Sequence, residues 1–343
     1  MRSFPVKAAL ILGLFASLLL GACGQEDPGT PSASPSAPAS SASVPPSAAP
    51  SASPSPSKKP KPVPASNNLD KVTVSGEYGK PPKVTVKSPW AIDKTRTKVL
   101  TPSDGATVKQ GQTVEINYHG VDGRTGETFD SSFARGAPVA FSLAQVVPGF
   151  SKGLVGQKQG SRVVIAMPGS DGYDSSGGNP QAGIEVGDTL IFVVDLVRVQ
   201  LAGPQGTAVK PKAGLPTVTV SKGQPEITVP KTDPPTTLQV QPLIKGKGPK
   251  VGESHQITFD YRWVWWSDGK LLEESYSTEP ATAALSGLLP GMVKGLTGQT
   301  VGSRVLLVIP PADGYPDGNP TPSVAPDETL VMVVDLLFTQ APQ

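Results

Sequence analysis

The segment YHGVDGRTGETFDSSFARGAP, at residues 118–138, brings a phenol, a Phe–Asp pair and an arginine close together in the chain. A carboxylate oriented by an arginine forms a fixed dipole, and the rings supply apolar surface. The segment therefore predicts one polar edge, Asp130 with Arg135, on a largely apolar pocket. Each residue also has an ordinary explanation. Aromatic side chains fill cores, Asp130 before two serines suits an Asx turn, and Arg135 suits a surface charge.

Other chemistries find little support in the residue pattern. The two histidines, His119 and His255, lie far apart in the chain, and His119 alternates with Tyr118, so it faces the other side of the strand. Neither has an obvious partner for a Ser–His triad. No His/Cys spacing typical of a metal site and no phosphate-binding loop occurs. We therefore expect no metal and no cofactor.

The chain contains an internal repeat. PGFSKGLVGQKQGSRVVIAMPGSDGY, from Pro148, and PGMVKGLTGQTVGSRVLLVIPPADGY, from Pro290, are identical at 15 of 26 positions. The lead-ins KVTVSGEYGKPPKVTV and TVTVSKGQPEITV also correspond. A period this long indicates two tandem domains. We predict domains at residues 70–200 and 216–340, joined by a linker at 201–215.

Within each repeat the pattern is mostly that of strands. TVEINY alternates in polarity, and SRVVIAM and TLIFVVDLVRV are β-branched runs. PGFSKGLVG is the one good helix candidate, with Pro148 in the first turn and Gly156 at the end. Each domain is therefore predicted to be α+β, an antiparallel sheet with one short helix laid on it.

The order of landmarks in the first repeat resembles that of FKBP-type peptidyl-prolyl cis–trans isomerases. It reads INYHG, then DGRTGETFDSSFARGAPVAF, VVPGFSKGLVGQKQGSRVVIAMP, GY and GDTLIFVVDLVRV. The resemblance covers residues 99–199 and, more loosely, 238–338. It implies a half-barrel antiparallel sheet wrapped around a short helix, with an aromatic pocket between them.

The resemblance also implies roles for individual residues. The implied catalytic residues are Tyr118, Phe129, Asp130, Tyr173 and Phe192. The implied substrate-binding residues are Arg135, Phe141, Val146, Val147, Phe150 and Ile184. Phe150 stands where the family usually has a tryptophan floor, and Val139 replaces a common aromatic. Two residues are missing between Phe141 and Val146, and one is inserted before Tyr173. These departures bear on ligand details more than on the basic activity.

The implied activity has a simple physical requirement. Rotation about an X–Pro bond must break amide resonance, over a barrier of about 18–20 kcal/mol, but it makes no bond and moves no proton. A dry apolar slot for the prolyl ring and a few donors for the flanking carbonyls suffice. The partners expected from the resemblance are Pro-containing unfolded or exported polypeptides, with macrolides as inhibitors.

The second repeat departs from this pattern. Tyr261 and Tyr315 correspond to Tyr118 and Tyr173. Leu272, Glu273, Ala283, Met292 and Met332 correspond to Phe129, Asp130, Phe141, Phe150 and Phe192. No arginine stands near the position of Arg135. A new WVWW run, residues 263–266, falls where a turn is expected. It is explained either by drift of a duplicated domain or by a new binding surface, since clustered tryptophans often anchor partners.

The beginning of the chain looks like a lipoprotein leader. Arg2 and Lys7 precede an apolar stretch at residues 8–20, and LGAC then ends at Cys23, the single cysteine. The pattern predicts a signal peptide at 1–22, lipidation of Cys23 and a disordered Pro/Ser/Ala-rich tether at 23–69. The alternative is an ordinary secretory signal with a chance cysteine.

Charge excludes one class of partner. The net charge is +2, and removal of Arg2 and Lys7 with the signal brings it to zero. Without a basic stripe, a nucleic-acid partner is not expected. We predict an extracytoplasmic, lipid-anchored isomerase that assists the folding of exported proteins. Two rivals stay open, a non-catalytic scaffold that holds Pro-containing segments and a wall-linked adhesin of sandwich type. The Phe–Asp–Arg–Tyr set argues against the adhesin.

Overall fold

The computed structural model describes residues 63–342, and most of its regular structure is antiparallel sheet. The predicted signal peptide, Cys23 and residues 23–62 of the predicted tether lie outside the described residues. The last residues assigned to the tether are folded, because Ala65–Ser66 pair with Ala91–Ile92 and Leu69 is buried. No helix within the described range is both long enough and apolar enough to cross a membrane.

The first repeat begins with short strands and continues into a six-stranded sheet. The leading strands are β1 (Ala65–Ser66), β2 (Val72–Ser75), β3 (Lys83–Val86) and β4 (Ala91–Ile92). The sheet strands are β5 (Arg96–Thr101), β6 (Thr113–Asp122), β7 (Thr128–Ser131), β8 (Val139–Ser142), β9 (Arg162–Met167) and β10 (Leu190–Val199). Their order is β5-β9-β10-β6-β7, and β8 pairs with the beginning of β6. Two helices belong to this repeat, α1 (Ser132–Arg135) and α2 (Pro148–Leu154).

The second repeat has the same plan with one further strand. Its strands are β11 (Gly206–Ala208), β12 (Thr217–Ser221), β13 (Gln224–Thr228), β14 (Gln239–Gly246), β15 (Gln256–Trp265), β16 (Leu271–Glu274), β17 (Ala281–Ala284), β18 (Arg304–Ile309), β19 (Asn319–Pro320), β20 (Ser323–Val324) and β21 (Leu330–Gln340), with helix α3 (Pro290–Leu296). The main sheet runs β11-β14-β18-β21-β15-β16, and β17 pairs with β15. Short 3-10 turns occur at Gly169–Asp171, Asp174–Ser176, Pro180–Ala182, Leu285–Gly287 and Pro311–Asp313.

The predicted short helix lies very close to the sheet. A Cβ atom on Gly149 would be 2.6 Å from the sulfur of Met167, and one on Gly153 would be 2.6 Å from a methyl of Ile165. Only glycine therefore fits at these two helix positions. The other side of α2 contributes buried Phe150 and Leu154 to the core. The sheet with α2 laid on it confirms this part of the fold prediction, the additional four-residue helix α1 was not predicted, and the half-barrel curvature stays a prediction.

A β-hairpin covers the other side of each sheet. Strands β2 and β3 pack with Leu69 and Trp90 on the face of the first sheet that is opposite α2. Strands β12 and β13 pack in the same way with Trp266 on the second sheet. The corresponding lead-ins of the sequence are therefore part of each repeat, and both faces of each sheet are buried.

A buried ion pair fastens the first hairpin to its sheet. Arg162 and Asp195 are 1% and 0% exposed, and two hydrogen bonds of 2.5 and 2.8 Å join them across β9 and β10. The Arg162 guanidinium also donates to the carbonyls of Gly76 and Lys80, and Asp195 accepts from the N–H of Gly79. Because these partners belong to the hairpin loop, one buried pair holds three segments together.

The two domains meet through residues at the end of β10 and directly after it. The N–H of Leu201 donates to the carbonyl of Leu337 at 3.1 Å. Arg198 pairs with Glu115 at 2.5 Å, donates to the carbonyl of Thr339 and lies 4.9 Å from the ring centre of Phe338. The predicted linker is also partly structured, because β11 lies within it and pairs with β14 of the second sheet.

Candidate active site

An aromatic cluster at the predicted pocket lies between α2 and the first sheet. Phe192 on β10 is at its centre, with ring centroids 5.0 Å from Phe150, 5.4 Å from Phe129 and 6.3 Å from Tyr118. Phe141 on β8 closes another side, 5.9 Å from Tyr118. Edge-to-face packing of this kind is favourable for aromatic rings. The rings belong to four strands and the helix, so the fold brings together residues that are far apart in the chain.

The remaining predicted wall residues contact the same cluster. Ile184 is buried in it, and Val146, Val147 and Tyr173 are half-buried against it. The backbone N–H of Val147 makes no hydrogen bond to any other residue between 63 and 342, so it is free to donate to a ligand. Every side chain that the resemblance assigned to the pocket wall therefore lies at one site. Their individual roles stay predictions.

Three polar groups form one edge of this pocket. The Asp130 carboxylate accepts a hydrogen bond from the Tyr118 hydroxyl and a second, of 2.5 Å, from the Arg135 guanidinium. Arg135 also donates to the Tyr118 oxygen at 2.7 Å. The same carboxylate also accepts a hydrogen bond from the N–H of Ser131. This local bond is the one feature of the site that agrees with the alternative explanation, an Asx turn. The closed triangle fixes the direction of the carboxylate.

These contacts determine the protonation states of the edge. Partial burial opposes ionisation of Asp130, but hydrogen bonds from Tyr118 and Arg135 outweigh it and hold the pKa of this carboxyl below its ordinary value. Burial, reinforced by the hydrogen bond to Asp130, raises the pKa of Tyr118 to about 12. Burial and the charge of Asp130 also raise the pKa of Tyr173. At neutral pH the edge therefore carries a carboxylate and two neutral phenols.

Two residues that support the site were not singled out in the sequence. Gly120 lies opposite Phe192 in the sheet, and a Cβ atom there would be only 2.5 Å from the Phe129 ring. Ser132 is fully buried, and its hydroxyl accepts a hydrogen bond from the N–H of Tyr118 at 2.8 Å. Gly120 thus makes room for a wall ring, and Ser132 ties α1 to the strand that carries Tyr118.

The second domain has a corresponding but different pocket. Tyr261 lies opposite Val334 as Tyr118 lies opposite Val194, which fixes the correspondence of the two sheets. In this register Trp263 occupies the position of Gly120, opposite Met332 and Glu273. The ring of Trp263 is 5.9 Å from that of Tyr261. An aromatic ring on β15 therefore replaces the one that β7 supplies in the first domain.

The structure shows how the WVWW run is arranged. The run is not a turn, because β15 extends through Trp265. Trp263 packs in the pocket-side core, whereas Trp266 packs on the opposite face, where its indole N–H donates to the carbonyl of Thr232. Since these two side chains are buried on opposite faces, the run is not an exposed docking surface.

The fold and the pocket together define an FKBP-type peptidyl-prolyl cis–trans isomerase, and comparison with known proteins establishes the class. The pattern of that family matches residues 105–197 and 248–337, which together make up more than half of the chain. The chain belongs to this family, and the two matched regions contain most strands of the two sheets, with β5, β11 and β14 lying outside them.

Individual relatives resemble one domain each. An FK506-binding protein of Streptomyces anulatus is 36% identical over 135 residues, which are 38% of this chain and 99% of that protein. A probable FK506-binding protein of Corynebacterium glutamicum is 39% identical over 95 residues, 27% of this chain and 77% of that protein. The FKBP-type isomerase FkpA of Escherichia coli is 36% identical over 118 residues, 34% of this chain and 41% of that protein.

Proposed function

We propose that the first domain is the main catalytic unit of the chain and acts on prolyl bonds of unfolded, exported polypeptides. The observation that carries the proposal is the hydrogen-bonded edge of Tyr118, Asp130 and Arg135 on a wall of four phenylalanine rings. This arrangement combines a prolyl-sized apolar slot with a fixed dipole. The second domain lacks the arginine, and its edge is built differently.

The proposed mechanism needs no proton transfer. The prolyl ring enters the slot around Phe192, where removal from water favours the twisted and less polar amide. Asp130, held by Tyr118 and Arg135, presents a fixed dipole to the carbonyl that rotates. The free N–H of Val147 and the hydroxyl of Tyr173 hold the flanking carbonyls. Each group acts by position, so the rate depends on how rigidly the edge is held.

An isomerisation assay on the full chain tests this assignment. We expect Asp130→Ala and Phe192→Ala each to lower kcat/KM for an X–Pro peptide and to weaken the binding of macrolide inhibitors. In the double variant at least nine-tenths of the activity should be lost, since the second domain is expected to work at least tenfold more slowly. A double variant with a normal rate would move the main site to the second domain or elsewhere.

The same assay addresses the rival function, a scaffold that holds Pro-containing segments without turnover. Both functions need the apolar slot, but only catalysis needs the dipole of Asp130. If Asp130→Ala leaves peptide affinity intact and abolishes rate acceleration, the pocket is catalytic. Peptide binding by the wild-type chain without any acceleration of exchange would support the scaffold instead.

We further propose that the protein acts at the outer face of the cytoplasmic membrane, anchored through Cys23. The support is the leader, with its positive start, short apolar stretch and LGAC sequence. Two acyl chains on this cysteine would give stable anchoring, which a single chain does not. Cys23→Ala should release the protein from membranes or leave it unprocessed. Mature protein of this variant that still sediments with membranes would favour another mode of attachment.

A further inference from the structure

The edge of the second pocket carries an acid that no base neutralises. Glu273 lies opposite Trp263, as Asp130 lies opposite Gly120, so the two acids hold the same position in their sheets. Asp130 is compensated by Arg135. Glu273, by contrast, forms no ion pair with any basic side chain among residues 63–342. The two pockets therefore differ by one full charge at the same place.

The surroundings of Glu273 increase this negative charge. Glu274 follows directly, with Arg262 opposite it in the sheet, and Glu279 stands in the segment that corresponds to the one carrying Arg135 in the first domain. Lysines that could compensate are engaged elsewhere, because Lys294 pairs with Asp313 at 2.5 Å and Lys270 pairs with Asp268 at 2.6 Å. Burial and the negative charge of Glu273 both raise the pKa of Tyr261 and that of Tyr315. The phenols around this acid thus remain neutral.

The slot next to Glu273 is still apolar. Trp263, Met292 and Met332 form its buried wall. The side chains of Leu272, Leu288, Leu289 and Tyr315 pack against this wall and are only half-buried. The indole N–H of Trp263 is buried and has no hydrogen-bond partner within the described residues. The second pocket therefore keeps apolar surface for a ligand, together with an unpaired donor in its wall.

We propose that the second pocket is a retention site for prolyl segments flanked by lysine or arginine. The inference rests on the proposed action of the chain on Pro-containing polypeptides. The apolar slot takes the prolyl ring, and Glu273 attracts the neighbouring cation. A segment with acidic neighbours meets like charge at the same place, and such repulsion is an effective means of discrimination. The neutral edge of the first pocket gives no such preference.

The indole signal of Trp263 provides a readout at this site in the full chain. The chain has four tryptophans, so selective 15N labelling gives four indole cross-peaks, and Trp263→Phe identifies the relevant one. The probes are the peptides Gly-Ala-Lys-Pro-Lys-Ala-Gly and Gly-Ala-Glu-Pro-Glu-Ala-Gly. We expect the lysine peptide to shift this signal with a Kd at least about fivefold lower than that of the glutamate peptide. High salt should reduce the ratio, because exposed charges are screened.

Two matched variants separate the role of Glu273 from general charge. Glu273→Gln should bring the ratio of the two Kd values below about twofold. Glu253→Gln, an equal loss of charge at an exposed position elsewhere in the domain, should leave the ratio unchanged. Equal affinities in the wild-type chain, a ratio that does not respond to salt, or no shift with either peptide would each overturn the proposal. These three outcomes are all measured on the wild-type chain, so none depends on the folding of a variant.

Isomerase activity in the same samples keeps the two proposals distinct. A chain that accelerates Ala–Pro exchange but shows no preference between the peptides retains the proposed function and loses only this inference. A chain that prefers the lysine peptide without accelerating exchange retains this inference as a binding property and loses the proposed catalysis.

Discussion

Trp263 in the second sheet holds the register position of Gly120 in the first. The residue on the neighbouring strand also differs, Phe129 in the first domain and Leu272 in the second. Where Gly120 leaves room for the Phe129 ring, Trp263 fills that room and Leu272 stands in place of the phenylalanine. The two positions therefore change together. The first domain pairs Gly120 with the larger Phe129, and the second pairs the larger Trp263 with Leu272.

This exchange predicts the effect of one added methyl group. Gly120→Ala should destabilise the first domain by about 1–3 kcal/mol, since its Cβ must displace the Phe129 ring. Activity should fall at least tenfold because that ring forms the pocket wall. Urea unfolding and the isomerisation assay measure the two effects.

A second substitution tests the reason given for the first. Phe129→Leu added to Gly120→Ala should restore stability without restoring activity. Gly203→Ala is the control, because a Cβ atom there meets nothing within 4 Å. Unchanged stability in Gly120→Ala would show that the pocket yields easily.

The pocket edge predicts a specific order among Arg135 variants. Arg135→Ala should lower kcat about tenfold with little change in KM, because the arginine orients Asp130 and Tyr118 and does not form the slot. Arg135→Lys should recover only part of the rate, since lysine cannot make both hydrogen bonds in the geometry of a planar guanidinium. A loss seen mainly in KM would instead assign Arg135 to substrate binding.

The isomerase activity of the first domain should change little between about pH 5 and 9. Asp130 has a lowered pKa and stays ionised, and Tyr118, with a pKa of about 12, stays neutral. The pKa of His119 is lowered by burial, and its side chain alternates with Tyr118 and lies on the other face of the strand.

At the acid end the sign follows from the lowered pKa of Asp130. The ionised Asp130 carboxylate stabilises the fold fully at pH values above its pKa in the unfolded chain, about 3.9. This stabilisation is lost as the pH falls through the lower pKa of the folded protein. Activity and stability should therefore decline together below about pH 4. A bell-shaped profile centred near neutrality would require a titrating group that the pocket does not contain.

Loss of the buried Arg162 should be far more costly than loss of a surface charge. Arg162→Met leaves Asp195 buried without its partner and releases the hairpin loop at Gly76 and Lys80. Removing one member of a buried pair costs about 3–5 kcal/mol. Arg96→Met, which breaks an ion pair at the surface, should cost far less, because solvent screens that pair. Thermal unfolding of both variants decides whether this difference exists.

The sequence predicted those parts of the molecule that depend on local pattern. Alternation in TVEINY and the β-branched runs indicated the central strands, and Pro148 with the following glycines indicated α2. The pocket residues were recognised because their order in the chain is distinctive, although the contacts among them are long-range.

What escaped prediction depends on which strands pair. The effect of replacing Gly120 by Trp263 depends on which residue of the neighbouring strand lies beside this position. The local sequences YHG and YRW do not show which residue that is. The same holds for the opposite faces of the WVWW run, since a turn and a strand both accommodate tryptophan there. Strand β11 has only three residues, too few to show any period.

That short strand has a consequence for how the two halves can be separated. Strand β11 lies between the domains in sequence, but it covers the outer edge of β14 in the second sheet. A protease cut or an expression boundary at residue 216 would therefore leave the second domain with an open strand edge, a common starting point for aggregation. A fragment that begins at residue 201 keeps this edge covered. The point at which the sequence begins to repeat and the point at which the second domain becomes self-sufficient are thus different places in the chain.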